Sequence, residues 1–139
     1  MKKIQVHGNK IRYLDYDNFS SKKRENLVLL HGIGASAERW SNVIPFLSKH
    51  FRIIVPDIIG FGYSDKPTVE YNMQFFVKFL EDFLNSLSVK KASIGGSSFG
   101  GLVAAEFAIK NTNMVNKLIL VSPAGAMKTS TKMLEEYIL

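Results

Sequence analysis

The sequence predicts an α/β fold with a mostly parallel sheet. Three observations lead there. Continuous apolar runs at residues 27–30, 51–55 and 117–121 have the character of strands buried on both faces. Stretches of helical periodicity separate these runs. The first run is also preceded by two strand-like segments, at residues 4–6 and 11–16, joined by turn residues as a β-hairpin.

In chain order, His7, Gly8, Asn9 and Lys10 form the expected hairpin turn, and the polar stretch 17–26 a surface loop. The run 27–30 is closed by His31 and Gly32. A helix is expected over residues 37–49, with Pro45 in the first turn of its second half. The run 51–55 ends at Pro56 and Asp57, and Gly60, Gly62, Ser64, Asp65 and Pro67 make a turn-rich loop. The clearest helix follows: Met73, Phe76, Val77, Leu80, Phe83, Leu84 and Leu87 share one face, with Lys78, Glu81, Asp82 and Asn85 opposite. Its aromatic residues read as core packing. A short strand at residues 92–94 runs into Gly95, Gly96, Ser97 and Ser98. The helix after it carries Ala104, Ala105 and Ala108, so it can approach a sheet closely. The run 117–121 reads as another buried strand, and residues 127–139 as a terminal helix.

Composition narrows the function classes. The 139 residues are 46% hydrophobic and 22% charged, ordinary for one globular domain. The net charge of +6 is scattered in short lysine clusters with no arginine-rich or aromatic stripe, so no nucleic-acid partner is expected. Cysteine is absent, which excludes disulfides, zinc thiolates and a cysteine nucleophile. No apolar run has membrane-spanning length, so no membrane partner is expected and a cytoplasmic location is the default.

Gly96, Ser97, Ser98, Phe99 and Gly100 fit G-x-S-x-G. Background usage supplies this pattern in about one chain of this length in twenty, so its context decides. A strand enters and a helix leaves, which would place Ser98 on a strained turn with its hydroxyl above the sheet and beside a helix N-terminus. Gly96 and Gly100 remove side chains that would collide there. An oxyanion hole needs two converging donors. The N–H of Phe99 is one candidate. The other belongs to the loop Gly32, Ile33, Gly34, with Ile33 the first choice and Gly34 the fallback. His31 reads as a hydrogen-bonded structural residue.

Four segments in this order carry a family resemblance. They are His31 to Gly34, the run from Pro56 to Pro67, the elbow around Ser98, and Leu118 to Gly125. Together they resemble the α/β-hydrolases with a helical cap. In detail they are similar to the meta-cleavage (carbon–carbon) hydrolases and their esterase and enol-lactonase relatives. The resemblance implies a three-layer α/β/α fold, with residues 1–139 the N-terminal part of one domain that stops after its sixth strand, before the cap and the last two strands. It makes Asp57, Gly60, Gly62 and Asp65 loop-shaping residues, and serine at the elbow argues against a haloalkane dehalogenase. The substrate implied is a small acyl or carbonyl compound, with no metal or organic cofactor.

The family's triad runs serine, then acid, then histidine along the chain. Here His7, His31 and His50 all precede Ser98, and the first acids after the last expected strand are Glu135 and Glu136. The expectation is therefore a serine hydrolase that lacks its acid and base within these residues. The sixth strand would be left as an apolar edge open to a second chain or another copy. A hydrolase-like module that binds without turnover is the alternative. A dinucleotide-binding reading also has a formal basis, because Gly32 to Ala37 fits G-x-G-x-x-G/A and Asp57 ends the next strand.

Overall fold

The computed structural model describes residues 1–17 and 23–126. Six strands form one sheet: β1 (Lys2–Val6), β2 (Asn9–Tyr16), β3 (Glu25–Leu30), β4 (Phe51–Pro56), β5 (Ala92–Ser97) and β6 (Val115–Val121). Their order is β1-β2-β4-β3-β5-β6. β1–β2 and β2–β4 are antiparallel, and the remaining three pairings are parallel. This is the mostly parallel α/β sheet expected.

The apolar runs of β3 and β4 have no polar alternation because both sheet faces are covered there, and side chains alternate between them. Val28, Leu30, Ile54 and Ile94 join the core that contains Phe76, Leu80 and Phe83 of α2 (Met73–Ser86) and Val103 and Phe107 of α3 (Phe99–Lys110). Leu27, Leu29, Ile53 and Val55 point the other way, onto Ala37 and Ile44. On that face the helical layer is thin: a 3-10 turn at Ala37–Trp40 and the four-residue α1 (Ile44–Leu47). The start of α2 is fixed by Asn72, whose Oδ1 accepts the Phe75 N–H at 2.9 Å.

Several expectations are corrected. The hairpin turn is only His7 and Gly8, at φ 47° and 79°, so Asn9 and Lys10 already belong to β2. Two positive φ values make a type I′ turn, whose twist matches the strands it joins. β3 starts at Glu25, inside the expected loop, of which residues 18–22 lie outside the described residues. The single helix expected over 37–49 is two short pieces. Ser36 makes no side-chain cap, and the backbone at Ala37 is bonded to Asp57 instead. Pro45 does sit in the first turn of α1. β5 continues through Gly95 and Gly96 to Ser97. There, a Cβ on Gly95 would meet Leu29 Cδ2 at 3.0 Å, so the bare glycine lets β3 and β5 pack.

The apolar pattern alone suggested that β6 is buried, which is corrected, while the resemblance made it an open edge. It is an edge strand among the described residues, and Leu118, Ile119, Leu120 and Val121 are 39–45% exposed. The helix expected over 127–139 lies outside the described residues.

Candidate active site

Ser98 stands between β5 and α3 with φ 53° and ψ −119°. A non-glycine residue in such a conformation costs roughly 1–3 kcal/mol and persists only where its surroundings impose it. Here they do. A Cβ on Gly96 would run into the Gly100 carbonyl, and one on Gly100 into the carbonyls of Leu30 and His31. The strand, turn and helix are therefore packed backbone to backbone. The end of β6 completes the clamp: the Ser98 N–H donates to Val121 O at 3.1 Å, and the Ala124 N–H donates to Ser98 O at 2.9 Å.

Ser98 occupies the N-cap position of α3 yet makes no side-chain cap bond, unlike Asn72 on α2. Its side chain is exposed, and among the described residues nothing hydrogen-bonds its hydroxyl. The N–H groups of Phe99 and Gly100 belong to the first turn of α3, where no earlier helical carbonyl is available to accept them. An uncapped helix start beside a free hydroxyl is a suitable place for developing negative charge.

The loop after β3 reaches the same point. A Cβ on Gly32 would lie 3.5 Å from Ser98 Cβ and 4.0 Å from Oγ. The Ala35 N–H donates to Gly32 O at 3.3 Å, closing a turn with Ile33 and Gly34 at its centre and Gly34 at φ 70°. Thus Gly32 packs against Ser98, and the turn centred on Ile33 and Gly34 follows it directly. His31 precedes them and is fully buried. Its Nε2 lies 3.0 Å from the Ile58 N–H, which donates to it, and its Nδ1 lies 2.7 Å from Gly32 O. Only a neutral ring with its proton on Nδ1 satisfies both. Burial pushes its pKa below the ordinary value, although the Gly32 carbonyl opposes this. His31 is therefore structural, with no ring nitrogen left for Ser98.

The other histidines lie elsewhere in the fold. His7 Nε2 lies 2.9 Å from Asp82 Oδ2, and His50 is in the turn before β4. Asp57 is fully buried and accepts the N–H groups of Ala37 and Tyr63, each at 2.7 Å. An acid so occupied cannot hold a ribose, and the glycine loop leads into a 3-10 turn, so the dinucleotide reading fails. A Cβ on Gly62 would collide with the Asp57 carboxylate, and Asp65 Oδ2 accepts the Lys10 N–H at 2.7 Å. These residues shape the loop.

Two features escaped the sequence reading. One is an aromatic wall beside the elbow: Phe99 packs edge-on to Phe76 at 4.9 Å and against Phe61 at 6.1 Å, and Phe61 touches His31. The aromatic content of α2 was visible, but its contact with residue 99 was not. The other is Arg12, fully buried within β2, with Nη1 and Nη2 at 2.8 and 2.9 Å from the two Glu38 oxygens. Its Nε lies 3.0 Å from Asp57 Oδ2 as an ion pair, without the alignment of a hydrogen bond. Burial opposes the Arg12 charge, but Glu38 and Asp57 outweigh it. Arg12 in turn lowers the Glu38 pKa to about 2.

A surface groove of about 650 Å³ lies away from Ser98, between Glu70, Asn72, Phe75 and Lys78 on one side and Lys110 and Asn111 on the other. Its volume is no guide to the chemistry; the strained serine is. Among the described residues, no cluster of His, Asp or Glu could hold a metal ion, and no helix is long and apolar enough to cross a membrane.

Comparison with known proteins agrees with this fold. The family model described as the alpha/beta hydrolase fold matches residues 25–138. The 2-hydroxy-6-oxo-6-(2'-aminophenyl)hexa-2,4-dienoic acid hydrolase of Metapseudomonas resinovorans is 36% identical over 126 residues, which is 88% of this chain and 42% of that protein. A meta-cleavage product hydrolase from Pseudomonas fluorescens IP01 superposes with a TM-score of 0.86 at 31% identity, covering 99% of this chain and 50% of that one. A bacterial membrane phospholipase A superposes with a TM-score of 0.87 at 29% identity, covering 96% and 43%. The chain thus spans half or less of the length of each of these relatives.

Proposed function

The chain belongs to the α/β-hydrolase fold family, and from that premise we propose that it carries the nucleophilic half of a serine hydrolase centre. Ser98 Oγ attacks a substrate carbonyl, its proton passing to a base. The tetrahedral oxyanion accepts hydrogen bonds from the N–H of Phe99 and the N–H of Ile33, with Gly34 in the second role if the turn presents that group instead. Collapse expels the leaving group and leaves an acyl-enzyme on Ser98, which water then hydrolyses. One observation carries the reading: an exposed, uncapped serine held at φ 53° by glycines that leave no room for a side chain.

The base and its orienting acid come from outside the described residues, either in the same chain or in a second one. The three histidines support this, since none bonds the serine hydroxyl. Esters, lactones and activated carbon–carbon bonds all fit the acyl-transfer scheme. Similarity to a dienoic acid hydrolase, a meta-cleavage product hydrolase and a phospholipase A favours that range. A second reading, a module that binds carbonyl ligands without turnover, is favoured by the same unbonded hydroxyl.

The test is labelling with a fluorophosphonate, read by intact mass, on this chain and on Ser98→Ala. One label per chain, absent from Ser98→Ala, is expected. A folded chain that takes no label has a serine without its base and favours the binding module, whereas label taken equally by Ser98→Ala overturns the nucleophile assignment.

A further inference from the structure

Arg12 is a fully buried cation that the proposed chemistry does not use. Placing a guanidinium out of water is costly unless its partners are well arranged, so its position needs a reason beyond packing. Its partners supply one. The bidentate bond to Glu38 fixes the first residues after the Gly32–Ala35 turn, where Ser36 Oγ also donates to Glu38 Oε2 at 2.6 Å. Asp57, the second partner, accepts the Ala37 N–H through Oδ1. Next to Asp57, the Ile58 N–H donates to His31 at the other end of the same loop. Both ends of residues 31–37 are therefore tied to residues 57–58, and Arg12 neutralises the carboxylate at that junction. The Tyr63 ring, 4.7 Å from the guanidinium carbon, closes its last face.

We propose that Arg12 is a positioning residue: it sets the turn that presents the Ile33 or Gly34 N–H to the oxyanion. This rests on the reading of Ser98 given above. Arg12 contacts neither the serine nor a substrate and acts only through the turn. Displacing an aligned group by about 1 Å can lower a rate about a hundredfold, so a device holding this loop bears directly on chemistry.

The experiment compares the chain with Arg12→Met, Arg12→Lys and Glu38→Gln, well below each melting temperature. Two readouts are taken: amide hydrogen exchange over residues 31–38 and 95–102, and fluorophosphonate labelling of Ser98 resolved into binding and maximal rate. Arg12→Met is expected to raise exchange at residues 32–37 about tenfold or more, leave 95–102 unchanged, and lower the maximal labelling rate about tenfold or more without weakening binding. Arg12→Lys, which keeps the charge but not the fork, recovers part of both. Unchanged exchange at 32–37 in a variant whose melting temperature has fallen overturns the proposal and leaves Arg12 a purely structural cation. If Arg12→Met does not fold, Glu38→Gln decides on the same exchange readout, because Glu38 lies at the surface. If the parent chain takes no label, its serine is without a base and exchange alone decides the role of Arg12, whereas label that persists in Ser98→Ala sinks the reading of Ser98 and not that of Arg12.

Discussion

On the β4 side of Ser98, the turn from Gly32 to Ala35 is held by groups without solvent access: Arg12, His31 and Asp57 are each 0% exposed. On the β6 side, the groups that hold Ser98 are the backbone of Val121 and Ala124, at the end of a strand whose apolar side chains are 39–45% exposed. The first flank relies on directional bonds between side chains in a low-dielectric interior. There an unpaired group is costly and one substitution reaches far. The second relies on two main-chain bonds that no side-chain change removes, and it has little packing behind it. Two regions can thus position one residue with opposite sensitivities.

The largest expected effect lies on the buried flank. Arg12→Met leaves the Asp57 carboxylate buried without its cation, and a loss of about 3–5 kcal/mol in urea unfolding is expected. A loss below about 1 kcal/mol would break the comparison. Next come two leucines in similar apolar runs. Leu30→Ala, at a fully buried position, is expected to cost about 2–5 kcal/mol. Leu120→Ala, 43% exposed, is expected to cost about 0.5 kcal/mol or less. Equal costs would show that β6 is covered in solution. Light scattering gives a related contrast: Leu120→Lys should reduce self-association without lowering the melting temperature, because a charged edge resists pairing.

The smallest effects are those of pH, and they too belong to the buried flank. His31 is held below its ordinary pKa of 6.5, so the stability from its neutral form is full above about 6.5 and declines as the pH falls below it. Glu38 is lowered from 4.5 to about 2, so its contribution is full above 4.5 and is lost as the pH falls through about 2. Because Glu38 is about half exposed, solvent screening keeps that contribution small. Unfolding free energy should therefore fall from pH 7 downward, and Glu38→Gln should flatten the curve between 4.5 and 2. An unchanged curve in that variant would mean that the Arg12–Glu38 pair adds nothing to stability.

What the sequence disclosed divides along the same line. The strands of the sheet and the elbow were legible because their causes are local: apolar runs, a glycine two residues either side of a serine, a helix with one apolar face. β6 was legible as a buried-type strand from its residues, and as an edge only through the family resemblance. Leu118 to Val121 state what the strand is suited to contact, whereas its neighbours are decided by sheet order. The break between Ala37–Trp40 and α1 was missed because its cause, Asp57 accepting the Ala37 N–H, lies 20 residues away. Arg12 was missed for a similar reason. A single arginine between Ile11 and Tyr13 in an alternating strand reads as solvent-facing, and only the fold brings Glu38 and Asp57 to it.

The two bonds from the end of β6 to Ser98 make the serine's geometry a thermodynamic dependent of the strand. If β6 detaches locally, the Ser98 N–H loses its partner and the carbonyl keeps only the Gly101 and Leu102 N–H groups, so the φ 53° conformation loses one of the constraints that sustain it. Anything that binds only the attached form of β6, along its outer edge, would enlarge the fraction of molecules with Ser98 in place. By reciprocity, an adduct on the Ser98 hydroxyl that requires this geometry would tighten binding at the edge by the same factor.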